Sequence, residues 1–155
     1  MSVVLIQAKE EDIKTIWKMQ TEAFRELYEK YQDTETSPAA EPMEKIVNRF
    51  NMPGSVYYFI VDKETKVGVI RVIDLKDGSR KRISPLWIMK EYRGKGYARK
   101  AITEAERIYG SDNWALDTIL QEEGNCYLYE KMGYHRTGAV SKINDNMDIV
   151  FYEKG

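Results

Sequence analysis

Cysteine and histidine are almost missing from this chain of 155 residues, which has one of each, and neither sign of charge prevails: 24 Lys and Arg against 25 Asp and Glu leave a net charge of −1. Cys126 alone cannot close an internal disulfide, which fits a reducing compartment. One histidine and one cysteine are too few for a structural zinc site, so no metal is expected. The near-neutral charge argues against a protein that gains its affinity by neutralising the phosphates of a nucleic acid. Long apolar runs are missing too: none approaches the length needed to span a bilayer, and residues 1–8 lack the basic start and the cleavage site of a signal peptide. The expectation is a cytoplasmic protein with no membrane and no nucleic-acid partner. What the chain does contain, 43% hydrophobic and 32% charged residues, is the composition of one globular domain over 1–155. A domain of this size buries roughly two-thirds of its unfolded surface and needs no covalent staple.

Hydrophobic spacing lays out the elements. Residues 3–8 read as a strand. Glu10, Glu11 and Asp12 then place carboxylates at the start of a helix, whose apolar stripe runs Ile13, Ile16, Trp17, Phe24, Leu27, Tyr28 and Tyr31. Residues 32–41 are polar with Pro38 among them and read as a mobile loop before a short helix bearing Met43, Ile46, Val47 and Phe50. Three strands at hairpin spacing follow, 56–62, 67–75 and 82–89, an antiparallel meander. A helix over 95–109 ended by Gly110, a strand over 114–120, a short helix over 125–132 ended by Gly133, and a hairpin of 134–140 with 147–153 complete the chain. This order implies a mixed sheet with helices on its faces.

The stretch 88–98 joins an apolar strand to the amino end of an amphipathic helix and carries Arg93, Gly94, Lys95 and Gly96. The first turn of a helix has amide hydrogens without partners and a partial positive charge, and two glycines let a ligand approach the backbone closely. With Arg99 and Lys100 adding to the field, a phosphate-bearing ligand is expected. The spacing does not match a mononucleotide P-loop, and a dinucleotide fingerprint would need glycine where Arg99 stands. It reads instead as Arg-x-x-Gly-x-Ala, with Arg93, Gly96 and Ala98, which resembles the acyl-CoA pyrophosphate loop of the GNAT superfamily of N-acetyltransferases. Further on, Asn125 is followed four residues later by Tyr129 and then by Glu130, Lys131, Met132, Gly133 and Tyr134, which is similar to that family's other core motif. The resemblance covers essentially the whole chain. It implies an α/β (α+β) domain with a central, mixed, mostly antiparallel, twisted sheet of about seven strands flanked by about four helices.

The resemblance also implies acetyl-CoA as cosubstrate, and its contacts. These are the backbone of Trp87, Ile88 and Met89 beside the pantetheine arm and thioester, Arg93, Gly94, Lys95, Gly96, Tyr97 and Ala98 around the pyrophosphate, Asn125 against the CoA arm, and Lys131 near a CoA phosphate. In the family a bulge interrupts the strand before the loop, and Pro85, which removes a ladder donor, is compatible with one here. Moving an acetyl group from a thioester to an amine needs a neutral amine, a polarised carbonyl and a proton for the departing thiolate. Tyr129 is the candidate general acid, since a phenol near its reference pKa of about 10 is protonated at neutral pH. No general base is legible: residues 83–89 contain no carboxylate, and Asp117, Glu122 and Glu123 are the acids closest along the chain to the Asn125 motif. Tyr28, Tyr31 and Glu122, with the loop 32–41, are candidates for contact with the acceptor, a small-molecule or a peptide or protein amine attacking directly in a ternary complex. The alternative is a non-catalytic acyl-CoA binding or sensing domain, which would have no use for Tyr129 as an acid. Cys126 reads as a buried structural thiol and His135 as a strand residue. The final strand, 147–153, reads as an exposed edge, which either pairs with a second copy to give a homodimer or simply stands as an edge.

Overall fold

In the computed structural model, which describes residues 2–33 and 37–155, the chain runs β1 (Val3–Gln7), α1 (Ile13–Ala23), α2 (Arg25–Tyr31), α3 (Met43–Phe50), β2 (Ser55–Asp62), β3 (Thr65–Ile73), β4 (Lys81–Ile88), α4 (Tyr97–Tyr109), β5 (Trp114–Ile119), α5 (Glu123–Lys131), β6 (His135–Asn144) and β7 (Met147–Lys154). The strands make one sheet in the order β1-β2-β3-β4-β5-β7-β6, and every neighbouring pair is antiparallel except β4 with β5. The mixed, mostly antiparallel sheet expected from the sequence is therefore present. There is one helix more than expected because the long apolar stripe is not one helix: at Phe24 the backbone leaves helical geometry (φ −99°, ψ 3°), separating α1 from α2.

Alternation along the strands sends side chains to two cores. On one face α1 and α3 cover Tyr57, Phe59, Val61, Val69 and Trp87; on the other α4 and α5 cover Ile60, Ile70, Val72, Ile83, Leu116 and Tyr152. Trp114, Ile16, Ile46 and Ile102 are wholly buried, and each such side chain contributes roughly 1.5–3 kcal/mol by leaving water. The closing hairpin corrects one expectation. β7 lies between β5 and β6, so its backbone is paired on both sides and β6 is the edge.

The segment 32–41 is less free than its composition suggests. Gln32 ends α2 in the left-handed conformation (φ 51°) and Ser37 caps a short turn at Pro38–Ala40. Trp17 Nε1 donates to the carbonyl of Glu41 at 2.9 Å, and Gln20 Nε2 donates to the carbonyl of Pro38 at 3.0 Å and to Glu41 Oε1 at 2.8 Å. The far half of the loop is thus tied to α1, and the expected mobility, where it concerns 34–36, lies outside the described residues.

Candidate active site

The site begins where β4 and β5 part. They pair only at Lys81 with Trp114 and Arg82 with Ala115, after which the two parallel strands diverge. Between Ile70–Leu86 and Val72–Ile83 the register of β3 against β4 slips, so that Arg71 faces both Ser84 and Pro85, a bulge in β4 at the proline noted in the sequence. Arg71, only 4% exposed, holds this bulge: its Nη1 donates to the carbonyl of Ser84 at 2.9 Å and its Nε to Ser55 Oγ at 2.8 Å.

Beyond the bulge the ladder dictates which amides are free. Met89 N–H donates to the carbonyl of Val67 at 2.8 Å, and Trp87 pairs with Val69 in the same phase. In an antiparallel ladder the residues between such pairs point their N–H and C=O away from the partner strand, here into the opening toward β5. These are Leu86 and Ile88. Of the expected set Trp87, Ile88 and Met89, then, Ile88 alone presents its amide to the opening, Leu86 joins it, and Trp87 and Met89 give theirs to β3. The Trp87 ring lies in the core under α1, edge-on to Phe24 at 5.7 Å. One residue's error in phase separates the reading from the structure, because the extra residue of the bulge shifts the ladder.

Past β4 the chain turns into the glycine loop. Gly94 and Gly96 have φ of 76° and 87°, which other residues adopt only with strain. The amides of residues 94–99 have no hydrogen bond within the described residues; the first helical bond is Lys100 N–H to the carbonyl of Gly96, at 3.1 Å. A Cβ built on either glycine meets no atom within 4 Å, so the concave side of the loop is open. A run of free amides at the amino end of a 13-residue helix, with exposed Lys95, Arg99 and Lys100 around it, suits a pyrophosphate. These residues fit an acyl-CoA. Arg93 does something other than expected. Its Nε donates to the carbonyl of Ile88 at 2.8 Å and its Nη2 to that of Ala23 at 2.7 Å, with Nη1 3.8 Å from Glu26 Oε2, so it fastens the loop.

A cavity of about 360 Å³ occupies the opening. β4 contributes Ile83, Ser84, Pro85 and Leu86; β5 contributes Asp117, Thr118 and Ile119; α5 contributes Asn125 and Tyr129; α1, α2 and the loop after them contribute Gln20, Phe24, Leu27, Asp33, Ser37 and Glu41. Asn125 and Tyr129 of the second motif thus share this wall with β4, while the glycine loop lies outside it. Tyr129 is 8% exposed, and its hydroxyl has no partner within the described residues. Burial pushes the phenol's pKa well above its ordinary value, and the charge of Asp117 adds to the push. The proton stays on Oη throughout the neutral range. Asn125, one turn earlier, reaches Thr118 Oγ1 at 3.4 Å. Lys131 is exposed, with its ammonium 5.6 Å from the Tyr127 ring.

The three acids near the Asn125 motif separate. Asp117 lines the cavity with its side chain 35% exposed and its carboxylate 3.1 Å from Arg82. Desolvation raises its pKa, against the lowering by Arg82. Glu122 is instead committed to Tyr31 Oη at 2.5 Å and Lys30 Nζ at 2.8 Å. Partial burial pushes Glu122 up, but these two hydrogen bonds outweigh it and hold the carboxyl below the usual range. Glu123 lies outside the cavity. Tyr28, Tyr31 and Glu122, expected to touch the acceptor, are absent from its walls, and Tyr31 is buried as the partner of Glu122. Gln20, which the sequence reading missed, had a signal: it is a polar residue in the stripe Ile13, Ile16, Ala23 and is wholly buried. Cys126 is buried as expected, and His135 is exposed at the start of β6.

Comparison with known proteins agrees with this geometry. Residues 13–134 match the acetyltransferase (GNAT) family. A search of curated protein sequences returns no match. Among solved structures, the PaiA N-acetyltransferase of Thermoplasma acidophilum in complex with coenzyme A superposes with a TM-score of 0.70 at 17% identity, covering 100% of both chains. The spermidine N-acetyltransferase of Vibrio cholerae, in complex with CoA and spermine, gives 0.74 at 19% identity over 97% of this chain and 93% of that one. The ribosomal-protein-S18-alanine N-acetyltransferase of Escherichia coli gives 0.74 at 8% identity over 97% and 92%. With the family match spanning most of its length and the same fold in these structures, the chain belongs to the GNAT acetyltransferase family.

Proposed function

We propose that this protein transfers an acetyl group from acetyl-CoA to a primary amine, by direct attack of the amine in a ternary complex. Acetyl-CoA supplies the thioester carbonyl and the leaving thiolate. The amides of residues 94–99 bind the pyrophosphate, and the amides of Leu86 and Ile88 hold the pantetheine arm and polarise the thioester carbonyl. Tyr129 holds a proton on Oη and gives it to the sulfur as the C–S bond breaks. Asp117, across the cavity wall and with its pKa raised, accepts the proton that the amine loses.

The observation that carries the reading is the phenol of Tyr129, without a hydrogen-bond partner within the described residues, on the wall of a cavity that Leu86, whose amide points away from β3, also lines. The test is release of free CoA from acetyl-CoA across a panel of small amines and peptides. The expected result is turnover with at least one acceptor class. If acetyl-CoA binds in calorimetry and no amine is acetylated, the site is a sensor of acyl-CoA and the reading falls.

A further inference from the structure

The bulge that opens the site hangs on a buried cation whose partners are all neutral. Arg71, 4% exposed, has no carboxylate partner within the described residues: its Nε donates to Ser55 Oγ at 2.8 Å, its Nη1 to the Ser84 carbonyl at 2.9 Å and its Nη2 to the sulfur of Met52 at 3.1 Å. Burial pushes its pKa below the ordinary arginine value, and the charge of Arg49 adds to the push. A thioether is a weak acceptor, so the Met52 contact is the poorest of the three. It is also the one nearest to water. Met52 is 46% exposed in the turn after α3, where its N–H donates to the carbonyl of Arg49 at 3.3 Å and its carbonyl accepts from Ser55 N–H at 3.1 Å, which keeps the side chain beside Arg71. Of the described methionines only Met43 and Met52 are exposed, and Met52 is the one hydrogen-bonded to the guanidinium.

We propose that Met52 is an oxidation site for hydrogen peroxide, and that its sulfoxide oxygen accepts the Arg71 Nη2 hydrogen and so fixes the bulge at Ser84. The sulfur lone pair attacks one oxygen of the peroxide and the S–O bond forms as the O–O bond breaks. The sulfur gives up two electrons, and the other oxygen leaves as water with the proton of the first. A hydrogen bond from a guanidinium to the sulfoxide oxygen is charge-assisted and stronger than the one to the thioether that it replaces. Because the side chain is exposed, the sulfur has room to draw back and seat the oxygen against Nη2. Through Arg71 the change reaches the Ser84 carbonyl, and from there the strand that carries the amides of Leu86 and Ile88. The effect on acetyl-CoA rests on the acetyl-transfer reading, while the oxidation and its effect on stability stand on Met52 and Arg71 alone.

The test treats the full chain with hydrogen peroxide and maps oxygen uptake by peptide mass spectrometry, while calorimetry reads acetyl-CoA affinity and thermal denaturation reads stability. The wild type is compared with Met52→Leu, which has no sulfur, and with Met52→Gln, whose amide oxygen stands in for that of the sulfoxide. Met52 and Met43 are expected to take up an oxygen atom each under conditions that leave the buried Met147 unchanged. Untreated Met52→Gln is expected to melt about 2–4 °C above untreated Met52→Leu. Peroxide is expected to lower the acetyl-CoA Kd of the wild type about threefold and to leave that of Met52→Leu unmoved, with Met52→Gln matching the treated wild type from the start. The proposal is overturned if Met52 stays a thioether when Met43 is oxidised, or if Met52→Gln melts no higher than Met52→Leu. It is overturned as well if peroxide leaves the wild-type Kd unchanged, raises it, or shifts it equally in Met52→Leu. Absence of acetyl-CoA binding in every form, with the oxidation and the melting difference as expected, keeps the oxidation site and sinks the acetyl-transfer reading.

Discussion

The guanidinium of Arg93 donates to the carbonyl of Ala23 at 2.7 Å, a bond between the glycine loop and the carboxyl end of α1, seventy residues earlier in the chain. The same side chain donates to the carbonyl of Ile88, so one residue fixes the loop to both β4 and α1. Arg93→Ala is therefore expected to lower stability by about 1–2 kcal/mol, since the side chain is partly exposed and water replaces some of what is lost. It is also expected to raise the acetyl-CoA Kd about tenfold by loosening the loop. Thermal denaturation and calorimetry read the two effects, and an unchanged Kd in a destabilised variant would show that the bond serves the fold alone.

Gly96 separates strain from ligand approach. A side chain there meets no protein atom but must adopt a φ of 87°, at a cost of roughly 1–2 kcal/mol. Gly96→Val should therefore remain folded at room temperature and lose acetyl-CoA affinity by more than its stability falls. A variant that binds acetyl-CoA normally would place the pyrophosphate elsewhere.

Glu122 ties stability to pH. Its folded pKa is depressed by Lys30 and Tyr31, so its contribution is present above the ordinary carboxylate pKa of about 4.3 and is lost as pH falls through the lower folded value. The wild type is expected to lose more stability than Glu122→Gln on acidification across that range. Tyr31→Phe, which removes one hydrogen bond to the carboxylate, should cost about 1–3 kcal/mol at neutral pH. Parallel acid unfolding curves for wild type and Glu122→Gln would contradict this assignment.

Asp117 ties activity to pH. As the acceptor of the amine's proton it must be ionised, and desolvation raises its pKa, so kcat/KM for the acceptor should fall on the acid side at a pH above the ordinary Asp value of about 3.9. Asp117→Asn should lower kcat by about 10²-fold and remove that limb of the profile. Persistence of the same limb in the variant would assign it to another group.

Most of the fold was legible because its signals are local. The stripe of Ala101, Ile102 and Ala105 with Gly110 behind it names α4, and Arg93, Gly96 and Ala98 name the loop. What escaped depends on register and on contacts far apart in sequence. The bulge at Ser84 and Pro85 moves the free amides to Leu86 and Ile88, a shift of phase that no spacing in the sequence encodes. Tyr31 and Glu122, 91 residues apart, satisfy each other instead of facing the acceptor. Gln20 was readable in principle as a polar residue within an apolar stripe, but its partners, Pro38 and Glu41, sit in a loop whose path the sequence does not fix. Which strand of the closing hairpin is the edge is likewise not local, because hairpin order does not say which of its strands meets β5.

The central claim, that Tyr129 delivers the proton to the departing thiolate, is tested most directly by Tyr129→Phe. The hydroxyl makes no hydrogen bond within the described residues, so its removal should leave the melting temperature and the acetyl-CoA Kd close to those of the wild type. The measurement is kcat for CoA release at saturating acetyl-CoA, alongside calorimetry on the same preparation. The predicted result is a fall in kcat of about 10²–10⁴-fold at unchanged Kd; a variant that turns over at the wild-type rate contradicts the claim.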